Sequence, residues 1–284
     1  MIKILVVGSA GQLGMDCVDV CGSFCVRGID LPEVDVSDRI QCMNILDSVN
    51  PDVVINCAAC TAVDACEINR DVCWKINAEA PGTMAEWVDA NSAFLVHIST
   101  DYVFPGNKPL FDALLEEDEV GPASEYGRSK LAGEKAVTDK TDRFAILRTS
   151  WLYGLGGSNF LKTMLCLTVG NPCRELKVVN DQYGTPTWSR TLARQIQRVV
   201  EMRATGIFHA TSEGYCSRYE LACVFLENMG IKHNIVPCGT EEYSAPAQRP
   251  ANSILENARL KMAGINLFTD WKEELMAFVG VMKE

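Results

Sequence analysis

Tyr126 and Lys130 stand four residues apart in the stretch Tyr126-Gly127-Arg128-Ser129-Lys130-Leu131-Ala132-Gly133-Glu134. On a helix that spacing puts both side chains on one face, about one turn apart. A free phenol titrates near ~10, too high for efficient proton transfer at neutral pH, and a neighbouring ammonium favours the phenolate and lowers that value. The pair is therefore a candidate proton donor with an adjustable pKa. The same spacing occurs by chance on many half-exposed helix faces, so its meaning depends on three other stretches. These are the glycine-rich loop at 8–14, Ser99-Thr100-Asp101 after an apolar run, and Arg148-Thr149-Ser150-Trp151.

The elements that would position these residues follow from the apolar pattern. Ile2–Val7 is apolar except for Lys3, as expected of a strand buried on both faces. Gly8-Ser9-Ala10-Gly11-Gln12-Leu13-Gly14 follows at once, and Leu13, Cys17, Val18 and Cys21 keep helical spacing. Strand, glycine turn and helix is the context in which such glycines let a backbone approach a dinucleotide, with the helix N-terminus facing its pyrophosphate. Phe24–Ile29 is the expected second strand and ends at Asp30, a carboxylate placed to accept from adenosine ribose hydroxyls. Asp30 would repel a 2′-phosphate, while Arg27 could swing towards one, so the expected preference for NADH over NADPH is slight.

Asp35-Val36 is expected to open a helix through Ile45 and Leu46. Asp52–Asn56 reads as a strand running into Cys57-Ala58-Ala59-Cys60-Thr61, whose small residues would let a ligand lie close to the backbone. Helix is expected over 76–90 and strand over 94–98, with Ser99-Thr100-Asp101-Tyr102 at its C-terminal end, the edge where ligands bind in doubly wound sheets. Gly106–Pro122 reads as a solvated acidic loop, and Ala145–Leu147 as a further strand. Strands alternating with helices indicate α/β architecture, a doubly wound Rossmann-type parallel sheet.

After Trp151 the pattern changes. Helices are expected over 159–169, from about Ser189, from the capping box Ser217-Arg218-Tyr219-Glu220 to Leu226, and from near Asp270, with strands at 177–179 and 207–210. The expected division is a dinucleotide-binding unit over 1–152, completed by about 177–210, and a smaller substrate-binding lobe from 153–176 and 211–284.

The 284 residues carry a formal net charge of −11, with 48% hydrophobic and 22% charged residues. That composition reads as soluble and globular, and no long basic run supports a nucleic-acid partner. No apolar stretch approaches ~20 residues, so no membrane span is expected, and no cleavage-site pattern marks an export signal. The reading is a cytoplasmic protein whose thirteen cysteines are reduced thiols. Cys57, Cys60, Cys66 and Cys73 are the group to weigh as a metal site, but their intervals are irregular and no metal is expected. Cys17, Cys21 and Cys25 are expected to pack on one side of a helix and its exit.

These motifs, in this order, resemble the extended short-chain dehydrogenase/reductases, and within them the dTDP-4-dehydrorhamnose reductase family. The resemblance spans nearly the whole chain. Beyond the glycine loop it rests on Asn56–Asp64, Ser99-Thr100-Asp101-Tyr102-Val103-Phe104, the Tyr126–Glu134 stretch, Arg148–Trp151, Asp181-Gln182-Tyr183-Gly184-Thr185-Pro186-Thr187 and Arg249-Pro250-Ala251-Asn252-Ser253. It implies Tyr126 as catalytic acid, and Lys130 as the residue that holds the nicotinamide ribose and lowers the phenol pKa. Thr100 would be the catalytic hydroxyl, with Asp101 and Trp151 lining the sugar pocket. Gly8, Gly11, Gln12, Leu13, Gly14, Asp30, Asp35, Val36, Ala58, Ala59 and Thr61 would surround NADPH or NADH. The implied reaction is reduction of the C4 keto group of a nucleotide-linked 4-keto-6-deoxyhexose, in deoxysugar biosynthesis. The magnesium associated with some members is not carried over, because Asp16 and Arg190 stand at the candidate positions. Two alternatives stay open: a dinucleotide-binding regulatory subunit resembling that of methionine adenosyltransferase, and another nucleotide-sugar reductase or epimerase. The pattern is compatible with a homodimer.

Overall fold

In the computed structural model, which describes residues 1–284 except Pro172 and Ser244, strands and helices alternate up to residue 149. They are β1 (Lys3–Val7), α1 (Gln12–Val20), β2 (Cys25–Ile29), α2 (Arg39–Val49), β3 (Val53–Asn56), α3 (Val63–Ile68), α4 (Arg70–Trp74), α5 (Ala80–Ala90), β4 (Phe94–Thr100), α6 (Glu125–Thr138) and β5 (Phe144–Thr149). The later chain adds β6 (Leu152–Tyr153), α7 (Phe160–Gly170), β7 (Leu176–Val179), β8 (Tyr183–Gly184), β9 (Thr187–Trp188), α8 (Ser189–Met202) and β10 (Gly206–His209). It ends with β11 (Cys216–Ser217), α9 (Arg218–Met229), β12 (Ile235–Cys238), β13 (Asn252–Ser253), α10 (Ala258–Met262) and α11 (Trp271–Lys283).

Six strands form one sheet in the order β10-β5-β4-β3-β1-β2, every pair parallel. Alternate strand residues feed opposite cores. Ile4, Val6 and Ile55 pack with Leu13, Cys17, Leu192 and Ile196 of α1 and α8; Leu5, Val7 and Val54 pack with Leu46, Met84 and Val88 of α2 and α5. The winding reverses between β1 and β3, so a crevice opens at their C-terminal ends, where the glycine loop and Cys57–Ala59 lie. The later lobe has its own core around Tyr153, Leu161, Phe225 and Phe278. The strand expected at 177–179 pairs with β12, outside the parallel sheet, and so lies with this lobe and not with the dinucleotide-binding unit.

Several expectations need correction. Helix α2 begins at Arg39, because Asp38 is its N-cap and accepts from the Ile40 and Gln41 amides; Asp35 instead closes a turn through Ser37. The helix expected from 76 begins as a π-helical turn, Lys75–Glu79, continuous with α4 and α5. Cys25 is exposed, while Cys17 and Cys21 are buried. The loop 106–122 is pinned rather than freely solvated. Glu116 is buried and its Oε1 accepts from the His209 and Arg259 amides, and Asp118 binds Lys108 and the Leu115 amide. Among the described residues no helix is long and apolar enough to cross a membrane.

Candidate functional site

Gly8 ends β1 with φ +79°, and a Cβ there would stand 2.7 Å from the Ala58 amide nitrogen. Only glycine lets these two turns meet. The result is a trough of two adjoining cavities that share Gly11, Cys57 and Ala59. One, about 390 Å³, is lined by Gly8, Asp30, Asp35, Val36 and Ala58. The other, about 440 Å³, is lined by Gln12, Leu13, Gly14, Thr61, Thr100, Asp101, Tyr126, Lys130 and Trp151. Every site residue named from the sequence thus faces one cavity or the other. The glycine cradle, the trough and the carboxylate of Asp30 at its far end fit a dinucleotide. Asp30 already accepts from the Ala10 and Leu31 amides, each at 2.8 Å, and Arg27 is paired with Glu33 at 2.9 Å.

Helix α6 presents Tyr126 and Lys130 to the larger cavity. Ser124 caps it, accepting from the Gly127 amide. The Thr100 hydroxyl donates to Asp101 Oδ1 at 2.9 Å and accepts from the Tyr102 amide. Burial raises the Tyr126 pKa above the usual phenol range, against a hydrogen bond with Thr100 that lowers it. The expected lowering by Lys130 is not seen here. The ammonium turns into the protein, where Nζ donates to the Ile98 carbonyl at 2.5 Å and lies 3.5 Å from His97 Nε2. Burial pulls the Lys130 pKa down to about 8, with Glu134 opposing. Asn56 orients His97. Its Oδ1 accepts from the Ala58 amide, which leaves Nδ2 facing His97 Nδ1 at 3.2 Å and assigns the imidazole proton to Nε2, towards Lys130.

Sequence reasoning quoted Glu134, Arg148, Ser99 and Ser129 without giving them a role; the structure makes them the scaffold. Arg148 forks onto Glu134 with bonds of 2.9 and 2.7 Å, and Ser99 donates to the same carboxylate at 2.5 Å, all with at most 3% of each residue exposed. This ties α6 to β4 and β5. Asn77, in the π-helical turn, accepts from the Cys60 amide and donates to the Cys60 carbonyl and Ser129. Gly133 lets α6 close on that turn, since a Cβ there would lie 2.1 Å from the Asn77 carbonyl oxygen. A π turn between regular helices is a common device at working sites.

The substrate side comes from the strand ends and the later lobe. Asp101 is 3% exposed, burial pushes its pKa up to about 6, and its Oδ2 has no partner among the described residues. Trp151 has φ +46°, uncommon for a bulky residue. It is held by its neighbours: Ser150 donates to the Thr185 carbonyl at 2.6 Å, and a Cβ on Gly184 would lie 2.5 Å from the indole. The Asp181–Thr187 stretch is therefore the seat of Trp151. Asn252 donates to the Pro109 and Asp112 carbonyls, and Arg249 forks onto Asp64 at 3.2 and 2.8 Å, fastening the tail to α3 and the 106–122 loop. Arg218, noted in sequence only as part of a capping box, lies over Trp151 with Cζ 3.6 Å from the ring centroid.

Cys57 leaves the cysteine group and faces Cys17 at 3.9 Å. Cys60, Cys66 and Cys73 converge, with sulfur separations of 3.6 Å for Cys60–Cys66 and 2.8 Å for Cys66–Cys73. Helices α3 and α4 bring them together despite irregular intervals. Burial is the main reason that the Cys66 thiol is held well above the ordinary range. At the position of the rejected magnesium site, Asp16 binds Ser189 and Arg190 pairs with Asp19.

A profile of the family described as RmlD substrate binding domain matches residues 2–283. A Bacillus subtilis spore coat polysaccharide biosynthesis protein is 36% identical, covering 98% of this chain and 97% of its own length. A dTDP-4-dehydrorhamnose reductase of Burkholderia thailandensis is also 36% identical, covering 95% of this chain and 96% of its own. Among solved structures, a dTDP-4-dehydrorhamnose reductase of Clostridium acetobutylicum has a TM-score of 0.96 at 39% identity over 100% of both chains. That of Bacillus anthracis, in complex with NADP, has a TM-score of 0.94 at 33% identity over 100% of this chain and 99% of its own. A matched profile over almost every residue, on a sheet whose switch-point trough ends at a Tyr-x-x-x-Lys helix, has one reading: the chain belongs to the RmlD substrate binding domain family, that of the dTDP-4-dehydrorhamnose reductases.

Proposed function

We propose that this chain is an NAD(P)H-dependent oxidoreductase that reduces the C4 keto group of a nucleotide-linked 4-keto-6-deoxyhexose, dTDP-4-dehydro-L-rhamnose giving dTDP-L-rhamnose. The observation that carries it is the trough, in which the glycine cradle continues directly into the wall bearing Thr100, Tyr126 and Lys130. A reduced nicotinamide dinucleotide, when bound there, supplies the hydride. Gly8, Gly11, Gln12, Leu13, Gly14, Asp30, Asp35, Val36, Ala58, Ala59 and Thr61 would hold it. Tyr126 is the acid that transfers H⁺ to the carbonyl oxygen as that oxygen gains alkoxide character, its raised pKa being offset when Lys130 turns towards it, and Thr100 would swing its one hydroxyl proton from Asp101 to the same oxygen. Lys130 would turn from the Ile98 carbonyl to the nicotinamide ribose when that ribose arrives. Asp101 would accept from sugar hydroxyls through its unpartnered oxygen, beside the indole of Trp151.

Arg27 is paired with Glu33 and no cation pairs with Asp30 among the described residues, which supports a slight preference for NADH. In this reading the sheet and its helices hold the dinucleotide and the later lobe the sugar, in the cytoplasm, with a homodimer as the assembly to test by light scattering. The converging thiols stay outside the chemistry and metal-free in this reading, since only three ligands meet among the described residues and burial holds the Cys66 thiol protonated.

The test is oxidation of NADH or NADPH by dTDP-4-dehydro-L-rhamnose, with Tyr126→Phe beside the parent. The variant should keep dinucleotide affinity and lose roughly 10²–10⁴ in kcat. A parent that binds dinucleotide but oxidises none with any nucleotide 4-keto sugar would leave the regulatory binding module standing instead.

A further inference from the structure

Arg218 opens helix α9, where Ser217 as N-cap accepts from the Glu220 amide at 3.0 Å and fixes the first turn. Its guanidinium carbon lies over the Trp151 ring, 3.6 Å from the centroid, with the Phe160 centroid at 5.5 Å. It lines the same cavity as Thr100, Asp101 and Tyr126. Other arginines near the trough are committed: Arg148 to Glu134, Arg190 to Asp19, Arg249 to Asp64. Arg218 has no ion pair and no hydrogen bond among the described residues, so its five N–H donors are unspent at the wall of the site. The cation–π contact seats the guanidinium while those N–H groups stay unbonded, and a guanidinium can read phosphate oxygens two at a time.

We propose that Arg218 is the diphosphate-binding residue of the substrate site. The proposal rests on the nucleotide-sugar reading above. A 6-deoxyhexose carries no acid of its own, and the dinucleotide's pyrophosphate is held at the glycine turn before α1, so the diphosphate on C1 is the anion left for a cation on the Trp151 wall of the cavity. C1 lies across the sugar ring from C4, so a sugar with C4 at Tyr126 extends its diphosphate one ring's width along the cavity wall. In a chain of formal net charge −11, whose average field repels a nucleotide sugar, one unspent cation in the cavity wall matters more than it would on a neutral protein.

Titration calorimetry with dTDP and with thymidine tests this, using the parent, Arg218→Gln and Arg218→Lys. In Arg218→Gln the dTDP dissociation constant should rise roughly tenfold or more, with thymidine and NADH affinities unchanged. KM for the sugar nucleotide should rise in parallel while kcat stays within about threefold. Arg218→Lys, which keeps the charge and loses the fork, should recover part of the loss. Equal dTDP affinity in the parent and Arg218→Gln overturns the proposal. So does a loss of thymidine binding as large as that of dTDP, which would mean a collapsed pocket. Because dTDP titration needs no turnover, it separates failure of this residue from failure of the reductase reading, which would show as a parent that never oxidises the dinucleotide.

Discussion

At the scale of the residue, the site divides its two titrations in an order the sequence did not suggest. Tyr126 keeps its proton to high pH, whereas Lys130 loses one near 8. If the ammonium is the active form, activity is full below that value and falls as pH rises through it. The alkaline limb of kcat/KM should therefore lie near pH 8, and Lys130→Arg, whose cation does not titrate in this range, should move it upward by more than one pH unit. A limb unchanged in Lys130→Arg would assign it to another group. Asp101 offers the converse case. Its pKa rises from 3.8 to about 6 on folding, so between those values the folded chain holds a proton that the unfolded chain has released. Stability falls across that window as pH rises, and the cost remains above it. Asp101→Asn should thus be more stable than the parent above pH 6, by on the order of 3 kcal/mol, and no more stable below about pH 4. Thermal melts at the two pH values decide this, and the gain should come with lost turnover.

At the scale of the element, helix α6 is positioned from below by charge and from the side by the π turn. Glu134 and Arg148 are buried together, and breaking one side of such a pair typically costs about 3–5 kcal/mol because the other charge stays behind. Glu134→Gln should lose that much in denaturant melts, and the double variant Glu134→Leu, Arg148→Met should recover much of it. A Glu134→Gln protein of parental stability would show that the Glu116 carbonyl, which accepts from Arg148 Nη1 at 3.3 Å, and the new amide suffice for Arg148. The strands and most helices were legible because apolar runs and caps such as Asn159, Ser217 and Asp270 are local signals. Glu134 and Arg148 were visible as letters, but a fourteen-residue separation gives no sign that they meet. The π turn was invisible for a related reason: it depends on Asn77 finding Cys60 and Ser129, partners far away in the chain.

At the scale of the whole molecule, the two lobes are fastened to each other where the tail meets α3. Asp64 accepts from both Arg249 nitrogens and the Ala247 amide, and these bonds bridge 183 and 185 residues. The pair is half-exposed, so its worth to stability is modest, and its main effect is on how the tail frames the cavity. Asp64→Asn should raise KM for the sugar nucleotide several-fold while changing the melting temperature little; a large melting shift with unaltered KM would make the contact purely structural. The trough-lining residues were legible as a set because motif positions fall at strand ends, and the sheet gathers those ends at one edge. The direction of Lys130, the three meeting thiols and the stacked arginine were not, since each depends on side chains packing between elements distant in sequence.

Trp151 is the residue at which the chain leaves the sheet for the later lobe, and it makes that exit in a left-handed backbone. That separates two quantities usually lost together in a truncation. Alanine there removes the indole and keeps the disfavoured turn, whereas glycine removes the indole and adopts the turn freely. Trp151→Gly should therefore outlast Trp151→Ala by roughly 1 kcal/mol in a denaturant melt while the two bind the sugar nucleotide equally poorly. The aromatic ring at this bend is retained at a standing conformational cost, and the difference between those two variants measures it.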